Sequence, residues 1–461
     1  MSAALFDRFL STPEMAEVFG AASIVQHMLD VEAALARAQA GEGLLPATAA
    51  VAIGAACRAE RFDLDAIVEA GSIAGTLVVP LVRQLTAAVA ASDPDAASHV
   101  HWGATSQDVI DTAMVLATRR ALSLIDAHLG ALTNALLRLA QDHGAAPMLG
   151  RTLLQPAAVI SFGFKLVSWV APLLRCRQRL RRAARAALQL QLGGAVGTLS
   201  AMGGQGAAVA RRMAADLQLP APRGAWHTQR DEWVALGCEV GVLCGALGKI
   251  AKDISLLAQA EVAEVAEPGG AGRGGSSAMP HKRNPVASMI ALAASMRAPH
   301  RVAALLAAMP QAHERGLGNW QAELAEWPGL LMSAHGAVSA LADAAAGMSV
   351  DAVRMRRNID ALQGLVFAEG AAVLLARHIG KARAQALLEA LSRQAVAEQR
   401  HLHDLTRDAI AADAVLSAKV GADDLRAVFD ADASARHAGA AVHAQWVELR
   451  AQAAALDAQP D

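Results

Sequence analysis

Long stretches of helical periodicity alternate along this chain with short clusters of glycine and proline. In Ser23–Ala40, SIVQHMLDVEAALARAQA, the apolar residues Ile24, Met28, Val31, Leu35 and Ala38 fall three or four apart, the spacing of one helix face. Breakers follow at GEGLLP and at SDPDAASHV, the second just before residue 100. Ala/Leu-rich helical patterns then run from about 108 to about 265, interrupted at HGAAPMLG, LGGAVGTLSAMGGQG and PAPRGAWHTQRDEW. A glycine-rich loop comes next, then another long pattern from Val286 to about Met309, and beyond about 350 the patterns shorten and gain charge. No period of about 20 to 50 residues repeats, which excludes a solenoid, and nothing reads as a set of alternating strands. The pattern predicts an all-α fold. A helical N-terminal domain covers 1–107, a central bundle of long helices 108–350 with a flexible loop at 267–286, and a helical C-terminal domain 351–461.

Composition sharpens this picture. Of the 461 residues 54% are apolar, but alanine supplies much of that, aromatics are only 3%, and tyrosine is absent. Such a chain favours helices that approach closely along alanine faces. Apolar runs such as Val234–Gly248 are short and broken, here by Glu239, against the 18 or so residues a membrane span needs. Asp7 and Arg8 stand where a secretory signal needs an apolar core. The excess apolarity therefore reads as subunit surface of a cytoplasmic oligomer. A net charge of −2 argues against a nucleic-acid partner. The basic run RCRQRLRRAAR, Arg175–Arg185, spreads around a helix and reads as a solvated or intersubunit face. Cys57, Cys176, Cys238 and Cys244 form no CxxC pair and no HExxH occurs, so neither a disulfide framework nor a metal site is indicated, and no cofactor motif stands out.

Four segments carry candidate chemistry. In HVHWGATSQDVIDTA, His99–Ala113, Thr105 or Ser106 is a good N-cap and Asp108 can complete a capping box. A helix start also suits a carboxylate ligand, so capping and binding are both open readings. In GRTLLQPA, Gly150–Ala157, Arg151 and Gln155 can orient an anionic group, and Pro156 fits the first turn of a helix. LGGAVGTLSA lacks the GK[ST] of a phosphate loop, and a close backbone approach explains its glycines. WHTQRDEW places His227, Gln229 and Arg230 together, either in a site or on an exposed loop. The glycine-rich loop, GRGGSSAMPHKRNPV, crowds Ser276, Ser277, Lys282 and Asn284 onto a segment that cannot stay helical. A serine needs activation to take a proton from carbon. Converging backbone N–H groups of the glycines can form a nest for its oxyanion. Lys282 and Asn284 can hold a carboxylate.

Together these segments resemble the fumarase/aspartase superfamily. Its signature GSSxMPxKxNP stands complete at Gly275–Pro285, with TSQD similar to the family's first conserved region and RTLLQPA to its second. The resemblance runs from MLDVEAALA to about residue 450. It implies a three-domain all-α fold, a homotetramer whose helices share a central bundle, and active sites each assembled from three subunits. The flexible loop is then a lid that delivers its serine. By the resemblance Ser276 transfers the proton, with Ser277 the second candidate. Lys282 and Asn284 bind a substrate carboxylate, as do Thr105, Ser106 and Gln107 from another subunit.

Amine-eliminating members carry a histidine directly after the threonine of the second region. Here Thr152 is followed by Leu153 and Leu154, and Glu69–Leu85 holds no histidine either. A departing amine needs a proton, whereas a carboxylate leaves as a stable anion with a pKa near about 4. The chain is therefore similar to the superfamily's cycloisomerase branch, in which a carboxylate of a tricarboxylate diene adds to that diene and closes a lactone. On that reading Arg151, Gln155, Gln229, Arg230 and His101 are further substrate contacts, and NWQAELAEWP lines the pocket or packs as a helix end. An amine lyase, with His101 or His227 as the acid, is the same-class alternative; a catalytically silent structural member is the other. Ser276→Ala is expected to lower turnover by at least about a hundredfold while leaving carboxylate binding intact, as measured by steady-state kinetics beside equilibrium binding.

Overall fold

The computed structural model describes residues 2–270, 274, 275, 279, 282–437 and 439–459. Five long helices form its centre: Ser106–His143, Phe162–Ala187, Asp231–Leu257, Val286–Ala308 and Asn319–Ala346. Each packs lengthwise on its neighbours, with Asn319–Ala346 closing the bundle against Ser106–His143. At 1.5 Å per residue the 38-residue first helix is ~57 Å long. Small residues set the spacing: Ala113, Ala117 and Ala121 on one helix and Ala334, Ala337 and Ala345 on another are buried. A Cβ on Gly237 would stand 2.8 Å from Leu305.

The few aromatics are spent where helices cross. Trp233 stacks on Trp327 at 4.1 Å. Buried Trp327 donates its indole N–H to Thr118 at 2.8 Å, and buried Trp169 donates to Asp253 at 2.8 Å, so neither leaves a polar atom unpaired. Asp231–Leu257 is long and apolar enough to cross a membrane by length and composition, with mean hydropathy 1.7 in its most apolar stretch. That apolarity is used inside the bundle, where Val234, Leu236, Val240, Leu243, Leu247, Ile250 and Ile254 are all buried. The sequence reading of a shorter, broken run is corrected here: one glutamate does not interrupt a helix whose other side is solvated.

Ala21–Gly41 lies against Ser106–His143 and gathers the shorter N-terminal helices. Beyond the bundle, helices between Ala352 and His437 surround a separate apolar cluster including Ala371, Leu375, Leu388, Leu402 and Leu416. The last helix, Gly439–Ala458, leaves that cluster and returns to the bundle. Leu449, Ala453 and Leu456 join the main core, so the C-terminal unit seen in the structure is shorter than residues 351–461.

The basic run explains this return. Arg177 and Arg181 both fork onto Asp126, at 2.7–2.8 Å and 2.7–3.1 Å, and Arg177 also reaches Asp457 on the last helix at 2.5 Å. Arg179 pairs with Glu239 at 2.8 Å. These arginines turn inward to neighbours in the same chain instead of forming a solvated face.

RTLLQPA is not a helix start. Pro147–Thr152 and Gln155–Ser161 pair antiparallel around a two-residue turn, Leu153–Leu154. Both turn residues have positive φ, 51° and 65°, as the tight turns that match strand twist require. Pro156 is tolerated because in a two-stranded ribbon each strand has a free edge, where a missing N–H costs nothing. The base of the hairpin is fixed by Gly163 N–H donating to the Gly144 carbonyl at 3.0 Å; a Cβ on Gly163 would meet that oxygen at 2.8 Å.

Burial works against the charges of Asp126 and Asp457, but their arginines outweigh it and hold both carboxyls below their ordinary range. The pairing of Asp126 and Asp457 with these arginines is therefore intact above the ordinary carboxylate range and is lost as pH falls through the lowered values. Arg177→Ala should lower unfolding stability by about 3 kcal/mol, read by denaturant titration. It should also expose residues 439–459 to limited proteolysis at neutral pH.

Candidate active site

The start of the Ser106–His143 helix is organised by one carboxylate. Asp108, fully buried, accepts from Thr105 N at 3.1 Å, which is its half of the predicted capping box. It also accepts from Gly193 N and Gly194 N, each at 2.9 Å, and lies 2.7 Å from His227 Nε2. The glycine stretch LGGAVGTLSA is thus a backbone clamp on this carboxylate. Its close approach needs glycine: Gly194 has φ 67°, and a Cβ there would stand 2.9 Å from the Gly103 carbonyl. Thr105 and Ser106 remain partly open to solvent, leaving the helix N-terminus facing outward.

One turn further in, Asp111 accepts from Arg230 at 2.9 Å, Trp320 Nε1 at 2.9 Å, and the side chains of Gln107 and Gln191 at 3.2 Å. Gln107 also donates to the His227 carbonyl at 2.9 Å. Arg230 is 2% exposed, bridges Asp111 to Glu323, and lies 4.5 Å over the Trp226 ring. Burial opposes its charge, but the two carboxylates more than offset this and hold it fully protonated. Burial pushes the Glu323 carboxyl above its ordinary range despite Arg230. In this chain Gln107 and Arg230 therefore hold the helix start from within, while Gln229 beside them is exposed. His101 is half-buried beside Glu32, with Nδ1 2.5 Å from its carboxylate. The tryptophans of NWQAELAEWP are buried at the helix crossing.

A second group gathers around the hairpin and the signature loop. Arg151 makes a two-pronged pair with buried Glu264, at 2.7 and 3.0 Å, and Asn358 donates to the same carboxylate at 2.8 Å. Its fork is thus occupied, tying the hairpin to the chain beneath it. Gln155 is exposed beside the turn, where Leu153 and Leu154 are 97% and 73% exposed. The loop is pinched at its base: Asn284 N donates to the Gly274 carbonyl at 2.8 Å. Gly274 has φ 63°, and a Cβ there would lie 2.5 Å from the Asn284 carbonyl. Glu267 accepts from Ala287 N and Ser288 N at 2.9 Å and from Ser288 Oγ at 2.7 Å, capping the Val286–Ala308 helix. Lys282 and Asn284 are exposed. Ser276 and Ser277 lie outside the described residues.

The two groups stand at opposite ends of the bundle. Trp320 and Glu323, in the first turn of Asn319–Ala346, bond the Asp111 and Arg230 cluster. Asp343, in the last turn, lines a cavity of about 220 Å³ with Glu267, Gly274 and Asn284. Those twenty helical residues correspond to about 30 Å. Among the described residues no group of three or more histidine, cysteine or acidic side chains is placed to hold a metal. Burial pushes the Cys57 and Cys244 thiols up to about 12, so neither is a nucleophile.

Sequence reading missed Glu32, Asp111, Glu264 and Glu323. Glu32 was signalled: it lies four residues after Met28 and three before Leu35, on the stripe predicted to be buried. Asp111 stands four residues after Gln107, one of its partners, but its other partners and those of Glu264 and Glu323 are distant in the chain.

The chain is similar to known proteins over most of its length. The chain is 47% identical over 421 residues to the 3-carboxy-cis,cis-muconate cycloisomerase of Bradyrhizobium diazoefficiens, covering 91% of this chain and 92% of that one. It is 43% identical to the nitrosuccinate lyase of Streptomyces davaonensis, over 83% and 82% of the two chains. The crystal structure of the 3-carboxy-cis,cis-muconate lactonizing enzyme from Pseudomonas putida superposes with a TM-score of 0.90 at 43% identity, covering 97% and 99%. The family model described as lyase matches residues 8–299, which include the helix start, the hairpin and the signature loop. Those three segments and that match make the chain a member of this lyase family, within the fumarase/aspartase superfamily.

Proposed function

We propose that the chain catalyses the cycloisomerisation of 3-carboxy-cis,cis-muconate in the bacterial breakdown of aromatic acids, in the cytoplasm. The observation that carries this reading is the hairpin tip. Where amine-eliminating members of the superfamily place an acid, this chain presents Leu153 and Leu154, exposed and apolar. Such a site suits a reaction whose leaving group needs no proton. One substrate carboxylate oxygen bonds to a diene carbon. The displaced electron pair moves to the carbon next to another carboxylate, and the Ser276 hydroxyl delivers a proton there. In reverse the Ser276 oxyanion takes that proton and the C–O bond breaks with its electrons on the carboxylate. Lys282 and Asn284 hold the carboxylate that takes up negative charge, and Ser277 is a further candidate contact to it. Thr105 and Ser106 receive another at the open helix start. Gln155 and Gln229, both exposed, contact the remaining polar groups. Gln107, Arg151 and Arg230 act by holding the helix start and the hairpin.

The ~30 Å between the two groups supports a shared site, each formed where ends of different subunits meet in a homotetramer. Apolar side chains exposed on the bundle helices, Phe164, Val242, Met289, Met296 and Leu306, supply the surface for such an assembly. The amine-lyase alternative loses His227, which is 3% exposed and bound to Asp108, and is left with His101 as its acid.

The similarity to a nitrosuccinate lyase fits the same chemistry, since nitrite also leaves as a stable anion. Purified protein should remove the conjugated-diene absorbance of 3-carboxymuconate and leave adenylosuccinate uncleaved. Slow nitrite release from nitrosuccinate is compatible with the proposal; cleavage of adenylosuccinate without diene loss would overturn it.

A further inference from the structure

A carboxylate on the buried face of a helix is costly unless a charge answers it. Glu32, in Ala21–Gly41, is 1% exposed. One oxygen lies 2.5 Å from His101 Nδ1, and the other has no hydrogen-bond partner among the described residues. His101 is therefore the one described group hydrogen-bonded to this carboxylate. The same helix grips the neighbouring peptide, with Gln39 donating to the Trp102 carbonyl at 2.7 Å. Held twice, the loop carries His101 at φ 58°, a conformation uncommon for a residue with a side chain. With Nδ1 engaged, Nε2 is the nitrogen left for a ligand. The imidazole keeps 20% exposure and stands four residues before Thr105.

We propose that Glu32 is a positioning residue that keeps His101 protonated and oriented as a cationic anchor for one substrate carboxylate. The inference rests on the reading of the substrate as a tri-anion. The acidic groups that face His101 are Glu32 from Ala21–Gly41 and Asp108 from Ser106–His143. Behind Glu32 lies the Cys57 thiol, neutral because burial pushes it up to about 12. Burial works against an imidazolium here, but the charge and hydrogen bond of Glu32, with Asp108 behind, outweigh it and raise His101 above its ordinary value. The sign follows: the anchor is charged below that raised value and is lost as pH rises through it. Ligand binding should be flat through the mildly acid range and weaken on the alkaline side. Without the Glu32 charge the weakening begins at lower pH.

The test is calorimetric binding of propane-1,2,3-tricarboxylate, an unreactive tri-anion, between about pH 6 and about pH 8.5. Two buffers of different ionisation enthalpy report the protons taken up. The wild-type protein should take up almost none near neutrality. Glu32→Gln should take up close to one per site there and bind about tenfold more weakly near about pH 8, with little loss near about pH 6. With 3-carboxymuconate its KM should rise more than its kcat falls, and Glu32→Asp should restore part of the affinity. His101→Gln should bind weakly with no proton linkage at all. Unchanged affinity and linkage in Glu32→Gln, or persistence in His101→Gln of the proton uptake the wild type shows toward about pH 8.5, overturns the proposal. The second variant decides the matter even if the first fails to assemble. Binding is read without turnover, so a wild-type protein that shows this linkage but does not cyclise 3-carboxymuconate sinks the proposed reaction and not the role of Glu32.

Discussion

The candidate helix start depends on the carboxylate of Asp108 being buried and fully answered. Two backbone N–H groups of the Gly193–Gly194 clamp, the cap N–H of Thr105 and the His227 ring all converge on it. A carboxylate with this many hydrogen bonds is fixed in place, and it leaves the remaining free N–H groups of the helix start directed outward. Its placement draws three distant segments, near 105, 193 and 227, into one unit. Asp111, Arg230 and Glu323 repeat the device one turn deeper. Removing one member of such a set strands the others, at a cost of about 3–5 kcal/mol. The rigidity of this end therefore comes from charge placed inside the protein, where water cannot compete.

The other end is built on a different principle. The signature loop is pinched between Gly274 and Asn284 and capped onto the next helix by Glu267. Between those points Lys282 stays exposed. Backbone contacts define the base of the loop, and on the proposed reaction Lys282 and Asn284 there meet a substrate carboxylate.

Much of this was legible in the sequence, and the failures are instructive. The central helices announce themselves by period, and TSQD by its capping chemistry. The hairpin at RTLLQPA was hidden because its turn uses two leucines where asparagine and glycine are usual, and because Pro156 also suits a helix start. The arginine run looked solvated because Asp126, Glu239 and Asp457 lie far from one another in the chain. The role of Arg230 in packing, and of Arg151 in tying down the hairpin, depends on buried acids that only the fold brings near, and that of Gln107 on the distant His227 carbonyl. Local pattern reports what a residue can do; the fold decides whether its hydrogen bonds are already spent.

The leucine turn has one more meaning. An L-residue in the left-handed region gives up roughly 1–2 kcal/mol, and two are placed side by side on a surface where glycine and asparagine would be at ease. The ~30 Å between the two chemical ends means that, on the proposed assembly, an unassembled chain meets its substrate with only part of a site. Newly made chains would then be chemically silent, and activity would arise in proportion to association, not synthesis. Subunit concentration itself would act as the switch between an inert helical bundle and an enzyme.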